Sequence, residues 1–281
     1  MTARERVVVL GVDFTSAPSR RKPIVVARCR LHGETLVVDR IVPLNDFAAF
    51  EAMLAEPGPW VGGFDLPFGL PRELVNVMNW PTQWSELLLH VEAMGKAAFK
   101  AALNAVRESR PMGARYIPRK GDAAAGSSSP MKLVNPPVGL MFFEGAPRIL
   151  RSGVSVIPCD PSADTRVAVE AYPGFLARQI TKGSYKKDGP EGRTAARHSH
   201  REIIVNALRD GHIAFGKLVV DMSEALRAMC IEDGNGDALD AVLCALQAAS
   251  ALLAFHAGDS MFGIPAHADS LEGWIATVPA H

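Results

Sequence analysis

Five acidic residues stand where chemistry is plausible: Asp13, Asp65, Glu170, Asp237 and Asp240. Asp13 closes the apolar run "VVVLGVD", and Asp65 closes "VGGFD". Glu170 lies in "TRVAVEA", just before Pro173. Asp237 and Asp240 open the apolar segment "GDALDAVLCALQAASALLAF" at a spacing of i and i+3, so on a helix they project together. Carboxylates held a few ångströms apart repel and raise one another's pKa. A divalent cation removes that penalty, and an all-oxygen donor set suits Mg²⁺ or Mn²⁺. Two such ions roughly 3.5–4 Å apart activate a water and stabilise the leaving oxygen of a phosphodiester. Each acid also has an ordinary reading. Asp237 suits the first turn of any helix through the macrodipole. Asp13 suits a turn with Thr15, Ser16 and Pro18, and Glu170 suits an ion pair with Arg166 or Arg178. Asp240, among Leu239, Ala241 and Val242, and Asp65, between Phe64 and Leu66, fit such roles less well.

Two basic runs are candidate phosphate contacts. One holds Arg107, Arg110, Arg115, Arg119, Lys120 and Lys132 against two acids. The other, from 178 to 201, includes Arg178, Lys182, Lys186, Lys187, Arg193 and Arg197. Arg119, Lys120, Lys132, Lys186 and Arg193 are the candidate substrate-binding residues, with solvated helix faces as the competing reading. Aromatic partners are sparse in both runs, which gives little support to base stacking on a single strand. His198 and His200 are two apart and do not share a helix face. "GKAAFK" lacks the upstream glycines of a phosphate loop.

The elements that position these residues follow from periodicity and turn chemistry. Val- and Ile-rich runs at 6–14, 24–31 and 36–42, separated by "PSRRKP" and "HGE", read as an antiparallel meander. Asn45 or Asp46 caps a short helix through Leu54. A fourth strand ends at Asp65, and a fifth spans 165–171. Helices are expected at 83–109, 174–182, 192–210, 222–230 and 237–256. Residues 110–137, rich in Pro, Gly, Ser and cations, read as a long loop. Within it, 119–130 lacks apolar anchors, so loose packing beside the acidic site is expected. The result is a mixed α/β sheet with helices on both faces, and strand ends that gather the acids.

Bulk properties narrow the field. The 281 residues carry no net charge, with 48% hydrophobic and 21% charged side chains, as in ordinary globular enzymes. Nucleic acid, if bound, must meet a local basic patch. The four cysteines have no metal-finger spacing and read as reduced thiols, which points to the cytoplasm. Asp13 interrupts the N-terminal apolar run too early for a signal peptide. The 241–255 stretch contains Gln247 and reads as a buried helix rather than a membrane span.

In this order, "VVVLGVDFTSAP", "GGFDLPFGLP", "VEAYPGFLARQI" and "GDALDAVLCALQAA" resemble the family of predicted RNase H-like nucleases called domain of unknown function 429. The Asp-x-x-Asp-Ala in the last apolar helix also resembles the end of RuvC-type resolvases, and "EGWIATVP" looks like the family's closing segment. The resemblance implies one RNase H-like domain over 1–281, with a five-stranded mixed sheet and a helical and basic insertion at roughly 83–150. It implies Asp13 as the central metal ligand and Asp237 and Asp240 as helix ligands. One further acid comes from a middle strand, with Asp65 and Glu170 both eligible. The expected activity is metal-dependent hydrolysis of nucleic acid. Two alternatives are a sugar-kinase or actin-like phosphotransferase and a non-catalytic nucleic-acid-binding or adaptor protein. The first lacks a second Asp-x-Gly-rich loop and an adenosine-type glycine motif.

Overall fold

The computed structural model describes residues 7–189, 193–212 and 218–279. The first residues of the strand expected at 6 and of the helix expected at 192 lie outside them. The chain opens with the meander β1 (Val8–Asp13), β2 (Ile24–His32) and β3 (Thr35–Leu44), then α1 (Phe47–Leu54) and β4 (Trp60–Phe64). Four helices follow: α2 (Arg72–Val77), α3 (Trp84–Ser109), α4 (Lys120–Ala125) and α5 (Val138–Ser152). Then come β5 (Ser155–Ile157), β6 (Arg166–Glu170), α6 (Pro173–Ile180), α7 (Ala195–Arg209), β7 (Val219–Met222), α8 (Glu224–Glu232) and α9 (Asp237–His256).

The strands form one mixed sheet in the order β5-β6-β4-β1-β2-β3-β7. Its meander is antiparallel, whereas β4, β6, β5 and β7 join parallel. Among the described residues the sheet therefore has seven strands, not five. The two additions, "SVI" and "VVDM", are edge strands too short for alternation to declare them. They exist because a neighbouring strand offers a ladder. Helix α5 was also hidden, since Gly139, Gly145 and Pro147 lie within it.

Alternation divides the strand side chains between two apolar layers. Val9, Val25, Ala27, Val61, Val167 and Val169 face α6, α7, α8 and α9. Leu10, Val12, Val26, Phe64 and Ala168 face α1, α2, α3 and α5. The 83–150 segment thus builds much of the second layer. Residues 119–130 are not loosely packed: Arg119, Gly121, Asp122 and Ala125 are all buried in or beside α4. A polar network, described below, provides the anchor that apolar residues do not.

Helix α9 lies against the middle of the sheet, and two glycines let it approach. Gly11 of β1 and Gly63 of β4 are register partners. A Cβ on Gly11 would fall 1.9 Å from the Ala241 carbonyl oxygen and 2.2 Å from the Ala245 nitrogen. A Cβ on Gly63 would fall 2.3 Å from the Cys244 carbonyl oxygen. The sheet is therefore bare where the helix backbone touches it. By length and composition α9 is apolar enough to cross a membrane, but 78% of its most apolar window is buried inside the protein. Gln247, fully buried, accepts from Tyr172 N–H at 2.8 Å and donates to the Ala276 carbonyl at 2.7 Å. It thereby joins α9 to the β6–α6 junction and the closing segment.

Gly11→Ala should cost on the order of 3 kcal/mol, because the clash is with backbone that cannot rotate away. Gly121→Ala is the control. Its Cβ would meet nothing closer than 3.6 Å, so stability should change by less than about 1 kcal/mol. Urea unfolding of both variants checks the pair; equal losses would show that helix approach is not the constraint.

Candidate active site

Asp13 and Asp65 leave the carboxyl ends of adjacent parallel strands. The last register pair of β1 and β4 is Val12 with Phe64, and Asp65 N–H donates to the Val12 carbonyl at 2.9 Å. Each aspartate lies two residues beyond a glycine of the α9 floor, so both turn toward that helix. Ala241 sits on Gly11, which places Asp240 and Asp237 at the same strand ends. Neither helix acid is spent on capping. Asp233 does that work, its carboxylate accepting from Ala238 N–H at 3.0 Å. Asp237 instead faces the Lys22 ammonium at 3.8 Å.

Asp240 has no solvent exposure, and each of its oxygens makes one bond. One oxygen accepts from the Tyr185 hydroxyl at 2.6 Å, and the other binds the Lys186 ammonium. The two remaining aspartates differ. Asp13 is buried to nine-tenths, and its carboxylate has no hydrogen bond or ion pair among the described residues. Burial and the charge of Asp240 push its pKa well above the ordinary range. Asp65 likewise lacks a hydrogen-bond partner for its carboxylate among the described residues, and burial raises it to about 7. Burial raises Asp237 to about 6, with Lys22 opposing. Burial alone would lower Lys186, but Asp240 holds it well above its usual value. Among the described residues the four carboxylates thus have two ammonium groups nearby, and one of these, Lys22, is bound more closely by Asp188, at 2.5 Å.

Glu170 is in a different environment. It follows Val169 and shares the Ala168 side of β6, away from α9. Its carboxylate takes two hydrogen bonds from Arg119, at 2.5 and 2.8 Å, and one from Phe68 N–H at 3.0 Å. Arg119 also donates twice to Asp122, at 2.8 and 3.0 Å, and once to the Glu272 carbonyl at 2.8 Å. All five guanidinium donors are thereby committed, leaving none for a substrate phosphate. The expected ion pair of Glu170 exists, but with Arg119 rather than Arg166 or Arg178. Of the two middle-strand acids, Asp65 joins the aspartates and Glu170 joins this buried network.

The other basic candidates are dispersed. Lys120 is exposed, and its backbone N–H donates to Glu272 at 2.9 Å. Lys132 is half-buried at the start of the turn leading to α5. Arg193 is exposed and borders a small hollow with Arg21, Lys22 and Asp188. Lys186 borders a larger cavity of 560 Å³ that also meets Asp65, Tyr185, Tyr172, Arg178 and Lys182. His198 and His200 point to different partners, Glu232 and the Ser184 carbonyl. Sequence reasoning missed Lys22 and Tyr185 as members of the site. The repeated Gly-x-Asp at 11–13 and 63–65 was the available signal for the paired strand ends.

Among the described residues, no three His, Cys, Asp or Glu side chains are arranged to hold a metal ion as they stand. The donor chemistry nevertheless fits a hard divalent cation: all the acids are oxygen donors, and their charge exceeds that of the two lysines. Each Asp240 oxygen also keeps a lone pair beyond its present bond.

Lys186→Met should destabilise the protein in chelator, since it strips the buried Asp240 of its counter-ion. The Lys186 side chain is 40% exposed, so the loss should be about 1–2 kcal/mol rather than the ~3–5 of a fully buried pair. Adding Asp240→Asn to that variant should restore most of it. Denaturant unfolding of the single and double variants measures both.

Neither the curated proteins nor the solved structures contain a match to this chain. A family model does match, over residues 11–269, which takes in both Gly-x-Asp strand ends, Glu170, Lys186 and both helix aspartates. The chain therefore belongs to the family described as protein of unknown function DUF429.

Proposed function

We propose that the protein is a divalent-metal-dependent phosphodiesterase acting on nucleic acid or its fragments. One observation carries the reading: Asp13, nine-tenths buried, has an unpartnered carboxylate facing three other aspartates. A folded protein gains nothing from such a group unless a cation or a proton joins it. The meander with β4 and β6 added beside β1 supports the RNase H-like fold that the motifs lead us to expect.

In this reading Asp13, Asp237 and Asp240 would hold Mg²⁺ or Mn²⁺. The ion would supply Lewis acidity toward the phosphoryl oxygen and lower the pKa of a water. The chain contributes the rest. Asp65, raised to about 7, is placed to accept a proton at a carboxylate oxygen near neutral pH. As the water oxygen bonds to phosphorus and Asp65 takes its proton, the ester P–O bond breaks; Asp65 then returns that proton to the leaving oxygen, directly or through solvent. Lys186, beside Asp65 on the cavity wall, offers positive charge to the phosphoryl group. Tyr185 holds Asp240 in place. A second reading draws on the Lys186–Asp240 pair itself: the ammonium stands where a metal would, and the protein binds without catalysis.

Thermal melts separate the two. Wild type should gain stability in millimolar Mn²⁺, by about 2.7 kcal/mol at 100 times the dissociation constant. Asp13→Asn should lose most of that gain and all hydrolysis of bis(4-nitrophenyl) phosphate. In chelator it should match or exceed wild type by ~1 kcal/mol, since it removes a repelling charge at constant shape. A wild type indifferent to Mn²⁺ supports the binding reading.

The pH dependence has a definite sign. Asp65 and Asp237 titrate near 7 and 6 when folded, above the unfolded value near 3.9. Between those limits the native state binds more protons, so in chelator stability falls as pH rises from about 4 to about 7. Metal binding needs the carboxylates ionised, so the Mn²⁺ gain should grow over pH 5.5–7.5. Melts across that range, with and without Mn²⁺, should diverge; parallel curves would remove these acids from the metal site.

A further inference from the structure

The 560 Å³ cavity beside the aspartates limits what can reach them. This volume falls in the range of small-molecule sites, roughly 300–1,000 Å³, which enclose most of their ligand. Asp65, Tyr185 and Lys186 are shared between the cavity and the aspartate cluster, so a ligand in one reaches the other. Pro67, Val138, Met141, Tyr172 and Pro173 give a largely apolar lining. Tyr172 is half-buried, with its hydroxyl accepting from Arg178 at 3.0 Å. The same Arg178 donates to the Ala125 carbonyl at 2.7 Å, which fixes the α6 wall to α4. Lys182, four residues on, is exposed and has no hydrogen-bond or ion-pair partner among the described residues.

A duplex is normally gripped by a track of cations along many phosphates. Here one of the expected cations, Arg119, has no donor left, and Lys120, Lys132 and Arg193 do not line the cavity. What remains is a half-open, largely apolar cavity, bordered by the self-paired Arg119–Asp122–Glu170 network, with Lys186 at the acids and Lys182 placed as a second anion contact. We propose that this cavity takes a single nucleotide-sized unit, a phosphate ester carrying a flat ring, either free or at the unpaired end of a strand, and excludes intact duplex. The proposal rests on the phosphodiesterase reading for its chemistry, but its binding claim is measured separately.

The test is calorimetric titration of the full chain with thymidine monophosphate, in Mn²⁺ and in chelator, followed by competition. The nucleotide should bind wild type. Lys182→Glu, a surface change, should weaken it at least tenfold. Val138→Trp, checked for folding by circular dichroism, should abolish it by filling the cavity. A blunt duplex should compete less than one-hundredth as well as a dinucleotide. A linear single strand that competes identifies strand ends as a source; one that does not leaves the free small molecule. No binding of the nucleotide in either condition would overturn the proposal, as would a duplex competing as well as the dinucleotide, or Lys182→Glu leaving affinity within twofold. Those failures leave the phosphodiesterase reading standing if Mn²⁺ still stabilises the protein and the chromogenic diester is still cleaved. Nucleotide binding without any Mn²⁺ effect would sink that reading and keep the cavity.

Discussion

The backbone of α9 rests directly on the sheet. This contact is possible only because β1 and β4 carry no side chain at Gly11 and Gly63. Small residues on the helix, Ala241 and Ala245, complete the close fit. Dispersion falls steeply with distance, so a helix held farther out would forfeit much of its contact energy. The same closeness has a chemical effect. Two residues beyond the glycines, the strand ends present Asp13 and Asp65. Within the turn that leads to Ala241, the helix presents Asp237 and Asp240. The packing that makes the core also crowds the acids.

Crowding requires a charge balance, and the protein supplies part of it. Lys186 neutralises Asp240, and Lys22 faces Asp237. Gly236 makes room for the first of these: its φ of 81° suits glycine, and a Cβ there would fall 2.8 Å from Lys186 Cβ. Asp13 and Asp65 are left without a partner among the described residues, and burial lifts both toward the protonated form. Such residual imbalance is typical of sites that bind a cation or move a proton, and is otherwise costly to keep.

A second polar assembly frames the same region from the opposite face. Arg119 ties Glu170, Asp122 and the Glu272 carbonyl together. The Glu272 carboxylate accepts from the backbone N–H groups of Arg72, at 2.7 Å, and Lys120, at 2.9 Å. Four separate segments are thereby fixed around the end of β6. Every donor and acceptor named there is satisfied, which suits a buttress. In the aspartate cluster Asp13 and Asp65 lack a partner among the described residues, which suits a site. The contrast separates two groups of buried charge that composition alone would merge.

Local pattern is enough to reveal the longer elements. Val- and Ile-rich runs bounded by turn residues declare the meander, β4 and β6, and the long apolar segment from 237 declares α9. The same pattern singles out Asp13, Asp237 and Asp240, since acids at the ends of apolar runs need a reason. The remainder depends on contacts between residues far apart in the chain. The edge strands β5 and β7 have too few residues to show a period and depend on a partner's ladder. The segment 119–130 was read as loose because its anchor is a buried ion network, and ion pairs between residues 51 positions apart leave no local trace. The choice between Asp65 and Glu170 turned on strand parity: one faces α9 and the other faces away. The partners of Asp240, Tyr185 and Lys186, come from a segment more than fifty residues away, brought in by the folding of α6 and α7 over the same sheet face.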